Sequence, residues 1–363
     1  MSSHEPAALP TGVGLWGGMD ANDEVSCVKL AERKNLSSAW VAEGHGGDAF
    51  SILSGCALST KKIALGSSIV SVYVRSPPTI AMGAATVDAL SRGRFILGLG
   101  TSHKVQVEPE HGLPYGNPIL RMEETVKIVR ALVSTGKVDH AGEIFPKVKY
   151  DLWFKPFRKN IPVYISALFP KMLELSGRLA DGVILVWNTT ERARQSVEAV
   201  RSAAKKAGRD PKDITMASLI PSCISTDAEA AVEGMRNLIA FYIDYFPRYA
   251  RIMIECGFKK EVEQVQESWA RGDKGEAVSM VSDRMVKALC IAGDAEECRK
   301  RLKEYRSSGI ALPILFPNPT PKRKKSGEGY SSNVTAKDGV FSAIMAASAT
   351  SGRARKVQHP VLA

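Results

Sequence analysis

The 363-residue sequence predicts an α/β protein, a (β/α)8 TIM barrel. Three observations predict it. Eight short apolar segments recur along the chain, each is followed by a helix or by a loop and a helix, and the segments are apolar enough to be buried on both faces, as strands of a helix-covered parallel sheet are. A doubly wound open sheet is the structural rival, because the same alternation serves both.

The first strand is Gly12 to Trp16, followed by Gly17-Gly18 and a helix that Asp20 or Asn22 can cap. Ser38 to Ala42 is the second strand and ends in the polar loop Glu43 to Asp48, whose glycines permit unusual backbone angles. A helix to Ser59 leads to the third strand, Ile63 to Val74, which is interrupted at Gly66-Ser67-Ser68. A strand that turns small and polar midway reads as a bulge, re-aiming backbone toward something that approaches closely. Ser76 and Pro77 start the next helix, and Phe95 to Leu99 is strand four. Asn117-Pro118 opens a helix with Ile119, Met122, Val126, Val129 and Val133 on one face, and Lys137 to Trp153 is an appended hairpin. Pro162 to Ser166, Gly182 to Val186 and Ile214 to Ile224 are strands five to seven. From Asp227 to about Asp283 several helices follow without a strand, a helical insert before the last strand. A capping box at Asp294 to Glu297 opens the last helix, and Ala311 to Phe316 closes the barrel.

Residues 1–319 form the barrel domain in this reading, and 320–363 a basic, disordered tail, in which Val340 to Ala347 can form a short helix. The formal charge of +11 is uneven: eight Lys and Arg against two acids lie from Thr320 onward, so +6 belongs to the tail. No apolar run reaches the roughly 20 residues that span a bilayer, and the N-terminus lacks a secretory pattern, so a cytoplasmic protein with no membrane partner is expected. The six scattered cysteines have no metal-site or disulfide spacing; reduced thiols and no metal are expected.

In such barrels chemistry uses loops at the C-terminal ends of the strands. Gly98-Leu-Gly100-Thr-Ser-His103 has two of the three glycines of a dinucleotide fingerprint, with His103 in place of the third. Those glycines either let the strand end pack tightly or admit a flat ring. Phe169-Pro170 at a helix start leaves the amides of Ala167, Leu168 and Phe169 for an anion, with Lys171 adding charge, unless it is an ordinary Pro-initiated helix. His45 and His103 are the histidines on strand-end loops, either surface groups or proton carriers, and Glu43 is a carboxylate ending a buried strand that must find partners or a ligand.

Four blocks resemble the luciferase-like superfamily of bacterial luciferase, flavin monooxygenases and oxidoreductases using the deazaflavin coenzyme F420. They are residues 40–50 (WVAEGHGGDAF), 63–77 with 84–91, 93–100 (GRFILGLG) and 178–182 (RLADG); residues 286–297 add to them. Within it the chain is most similar to the deazaflavin-dependent group that includes 5,10-methylenetetrahydromethanopterin reductase. The resemblance implies a barrel of the bacterial-luciferase type, with a bulge at Ser67-Ser68-Ile69 whose Ser68-Ile69 peptide is cis and backs the coenzyme. It implies that Gly100, Thr101 and Ser102 flank the ring and that Ala167, Leu168 and Phe169 take the phosphate. Glu43 and His45 would hydrogen-bond ring or substrate, His103 and Tyr73 would be proton donors, and Trp16 and Trp187 would wall the pocket of a small-molecule substrate. The chain departs from the family pattern at Gly44, where many relatives have His, at His103, where an acid is common, and at Phe169, where glycine is common. A homodimer or homotetramer is implied. An FMN-dependent monooxygenase is the nearest rival, and a non-catalytic barrel binding nucleic acid through Lys322-Arg323-Lys324-Lys325 the rival of another class; nucleic acid is not expected, since the run lacks interleaved aromatics.

Overall fold

The computed structural model describes residues 9–15, 18–323, 330–331 and 335–348. The barrel strands are β1 (Gly12–Leu15), β2 (Ser38–Val41), β3 (Ala64–Ser67), β4 (Phe95–Gly100), β5 (Val163–Ser166), β6 (Gly182–Val186), β7 (Thr215–Ile224) and β8 (Leu312–Pro317). Each pairs in parallel with its sequence neighbours, and β8 pairs with β1 through Gly12 opposite Ile314, which closes the sheet. The eight-stranded barrel expected from the sequence is therefore present, and the open-sheet rival falls.

Two apolar layers hold it together. One lies between the sheet and its helices and includes Leu15, Val28, Leu53, Ile80, Leu97 and Val129. The other fills the barrel with Trp40, Tyr164, Ile184, Leu219 and Ile314 and continues into the insert through Leu238, Ile243 and Met253. Helix starts follow their caps: Asp48 accepts from the Ser51 amide at 2.7 Å, Ser76 from Thr79 at 3.3 Å, and Asp294 from both Glu296 and Glu297.

The third strand departs from one continuous element. After Ser67 the ladder breaks, the Ser68-Ile69 peptide is cis, and Val70–Ser71 resumes pairing with β4 before the chain turns toward the helix Pro77–Leu90. Lys137–His140 and Val148–Asp151 form the expected antiparallel hairpin. Lys104–His111 is a helix with His103 at its N-cap. The insert comprises the helices Ala228–Tyr245, Pro247–Glu255, Lys259–Ala270, Lys274–Ser279 and Asp283–Leu289, after which Ile291–Gly293 adds to the end of β7.

The expectation of a disordered tail from residue 320 is corrected over Ala336–Ser348. This helix buries Val340, Ala343, Ile344 and Ala347 and packs on β1, β7 and β8 between the helices Ala295–Ser307 and Ala21–Arg33, so it is the barrel's eighth outer helix. Lys337 donates to Asp23 at 2.6 Å. Lys322–Arg323 pairs with Tyr330–Ser331, while Lys324 and Lys325 lie outside the described residues. No helix among the described residues is long and apolar enough to cross a membrane.

Candidate active site

A cleft of about 860 Å³ opens at the C-terminal mouth of the barrel, between the strand ends and the insert. Its barrel wall begins where β3 crosses β4. The Ser67 hydroxyl donates to the Gly98 carbonyl and accepts from the Gly98 amide, both at 2.9 Å. A Cβ on Gly98 would overlap the Ser67 carbonyl oxygen, and one on Gly100 would overlap the Ile69 side chain. Both glycines of the pair are therefore required by close packing of the interrupted strand. That packing leaves Ser68, Ile69 and Gly100 to Ser102 lining the cleft, with the Ser68 hydroxyl buried and without a hydrogen-bond partner among the described residues.

Beside this wall Glu43 is gripped by Arg75, whose Nε donates to it at 3.1 Å and whose guanidinium also pairs with Asp48 and lies over the Phe50 ring. Burial alone would raise the Asp48 pKa, but hydrogen bonds from Ser51 and Arg75 outweigh it and hold the carboxyl below its ordinary value. Glu43 thus stands in the cleft as an oriented carboxylate acceptor.

At the far end Leu168, Phe169 and Lys171 line the cleft where the helix Pro170–Leu179 begins. The Ala167 amide is not available to an anion, a correction to the sequence reading: it donates to the Ile184 carbonyl at 3.1 Å, because the β5–β6 ladder runs one residue past the strand. The helix dipole and Lys171 remain. Arg251 lies 4.4 Å over the Phe169 ring, and Arg192 donates to the Leu168 carbonyl at 3.1 Å; Glu255 pairs with both arginines.

The opposite wall comes from the insert. Phe246 and Tyr249 pack their rings 4.5 and 4.7 Å from the His103 ring. That burial, with Arg248 adding repulsion, lowers the His103 pKa to about 4, so its imidazole is neutral at pH 7. Trp187 is 1 % exposed, adopts a left-handed φ of +54°, and lies 4.9 Å from Tyr242, with no acceptor for its indole N–H among the described residues. Arg248 donates to Thr101 Oγ1 and the Ser102 carbonyl, each at 3.3 Å, and lies 5.1 Å over the Tyr115 ring. Sequence reasoning missed Tyr242, Phe246, Arg248 and Tyr249. The signal was a run of five aromatics between residues 241 and 249 in a chain only 7% aromatic.

The structure therefore gathers Glu43, Ser68, Ile69, Gly100, Thr101, Ser102, His103, Leu168, Phe169, Lys171 and Trp187 around one cleft. It does not bring the other predicted residues to the wall. Ser67 and Ala167 stand behind it. The Tyr73 hydroxyl donates to the Gly116 carbonyl at 2.6 Å, and its ring stacks on Tyr115. His45, with 69% of its side chain exposed, meets Glu110 at 2.8 Å. Trp16 lies outside the described residues.

Comparison with known proteins agrees with this geometry. The sequence model of the luciferase-like monooxygenase family matches residues 2–312. The 5,10-methylenetetrahydromethanopterin reductase of Archaeoglobus fulgidus is 28% identical over 82% of this chain and 90% of its own. The phthiodiolone/phenolphthiodiolone dimycocerosates ketoreductase of Mycobacterium tuberculosis is 31% identical over 70% of each. Among solved structures, the coenzyme F420-dependent tetrahydromethanopterin reductase of Methanopyrus kandleri superposes with a TM-score of 0.81 at 23% identity, over 94% of this chain and 98% of that one.

Proposed function

The chain belongs to the luciferase-like monooxygenase family, and from that premise we propose that it is a coenzyme F420-dependent oxidoreductase moving a hydride between the deazaflavin and a small organic substrate. The observation that carries this reading is the bare barrel wall: Ser68-Ile69 and Gly100 to Ser102 present backbone and short side chains to a cleft large enough for a cofactor and a substrate together. The orphaned Ser68 hydroxyl fits a ligand that supplies its missing partner. Lys171 at a helix N-terminus fits a phosphate. The reductase relatives support the cofactor class.

Coenzyme F420 bound there would supply hydride chemistry. Ser68, Ile69 and Gly100 to Ser102 would hold its ring, and Leu168, Phe169 and Lys171 its phosphate. Glu43, fixed by Arg75, accepts a hydrogen bond from ring or substrate. Trp187, Tyr242 and Tyr249 exclude water from the reacting faces. Neutral His103 acts as a hydrogen-bonding group, not as an imidazolium acid. A methylenetetrahydromethanopterin-like compound is the first substrate to try, given the pterin reductases among the relatives.

Binding and turnover test the proposal. Coenzyme F420 should bind saturably, seen as a change in its fluorescence, and its absorbance should change on adding a substrate from a panel of pterins, ketones, secondary alcohols and sugar phosphates. Tight FMN binding with no affinity for F420 would instead establish the monooxygenase reading. A homo-oligomer of two or four copies is part of the proposal, supported by the family resemblance and by the exposed aromatics Trp153, Phe154 and Phe157; light scattering on the purified protein checks it.

A further inference from the structure

The charges facing the cleft do not cancel. Glu43 is matched by Arg75, and Arg251 is matched by Glu255, which also takes Arg192. Two cations on the cleft wall, Lys171 and Arg248, have no carboxylate partner among the described residues. Lys171 lies at the helix terminus assigned above to the coenzyme. Arg248 comes from a different element, the insert helix Pro247–Glu255, and its guanidinium is held in place: Tyr115 lies under its plane, and one nitrogen donates to Thr101 and Ser102. Five donors on a planar fork leave several free after those weak 3.3 Å contacts. A fixed, half-buried guanidinium with unused donors and no counter-ion is a receptor for an oxyanion.

The same wall states what the rest of the ligand must be. Trp187, Tyr242 and Tyr249 form a contiguous aromatic surface, with ring centroids 4.9 Å apart for Trp187–Tyr242 and 5.4 Å for Tyr242–Tyr249. The Trp187 indole can only donate, and its N–H is buried without an acceptor among the described residues, a deficit that a ligand acceptor atom would remove. We propose that the substrate is an oxyanion with an unsaturated or aromatic body: Arg248 binds its carboxylate or phosphate, the Trp187–Tyr242–Tyr249 surface packs its body, and the Trp187 N–H donates to an acceptor on it. This assignment rests on the coenzyme occupying the barrel wall, which leaves the insert wall to the substrate.

Calorimetric titrations with 2-naphthoate, 2-naphthyl phosphate and neutral 2-naphthamide, with and without coenzyme F420, test it. At least one anion should bind at least about tenfold more tightly than the amide, a difference of one bidentate charged contact. Arg248→Gln should abolish that preference while leaving amide affinity within about twofold, and Arg248→Lys should keep part of it, because charge remains while the planar fork is lost. Equal binding of all three probes, or a preference that survives Arg248→Gln, would overturn the proposal. So would a fall in F420 affinity in Arg248→Gln with the probe preference intact, since that would make Arg248 a coenzyme residue. Failure of F420 to bind wild-type protein while the probe preference holds would count against the coenzyme alone.

Discussion

The two walls of the cleft are built on opposite principles. On the barrel wall the framework is closed within the protein: Ser67 and Gly98 satisfy each other, Glu43 is tied to Arg75, and the Ala167 amide is spent in the ladder. The buried Ser68 hydroxyl on that wall has no hydrogen-bond partner among the described residues. The insert wall is aromatic rings and the Arg248 guanidinium, which has no carboxylate partner among the described residues, and the Trp187 N–H beside them has no acceptor among those residues. Sheet register fixes the first wall whether or not a ligand is present, whereas the second completes its polar contacts only with one. A family can then keep a coenzyme seat and change substrates by altering the insert, which is how loop variation on a barrel generates new chemistry.

The largest expected effect is on the barrel wall. Gly98→Ala would force a methyl into the Ser67 carbonyl, where backbone cannot yield without breaking the β3–β4 contact. We expect a loss of about 3 kcal/mol or more, read as a fall of roughly 4 °C or more in melting temperature or as no folded protein. On the insert wall, Tyr249→Ala should lower kcat/KM about 100-fold while coenzyme affinity stays within about twofold. Equal losses of coenzyme and substrate affinity would erase the distinction between the walls.

Smaller effects sharpen it. Arg75→Gln frees Glu43 from its tether, and coenzyme affinity should fall about tenfold, measured by fluorescence titration. His103 marks the seam, supplied by the barrel and packed by insert rings. Its pKa is lowered from 6.5 to about 4, so between those values the unfolded chain binds more protons than the folded one, and stability rises with pH through that window. The melting temperature should therefore drop as pH falls from 6.5 toward 4, and His103→Phe should flatten that limb.

The barrel was legible because its signals are local and repeated: apolar strand, cap, helical face. The interruption at Ser67 to Ile69 was legible too, since small polar residues inside a buried strand violate the strand pattern, and the structure shows the ladder breaking there. The insert wall was not, because its helices alternate as ordinary amphipathic helices do and nothing local says which rings meet Trp187, far away in sequence. The eighth outer helix was legible only as a short helix over Val340 to Ala347; its place on the barrel was hidden by the Lys-, Ser- and Gly-rich run before it and by Gly339, poor in a helix interior. A Cβ there would sit 3.0 Å from the Pro319 backbone, a tight contact that a glycine avoids. The Ala167 amide was misjudged because the residue after a strand can still donate to the ladder.

The most direct test of the two-wall account is a crystal structure of the protein with coenzyme F420 bound. The deazaflavin ring should lie against Ser68-Ile69 and Gly100 to Ser102, with its phosphate at Leu168 to Lys171 and the Trp187–Tyr249 surface left open beside Arg248. A ring stacked on the insert aromatics, or a phosphate on Arg248, would contradict it.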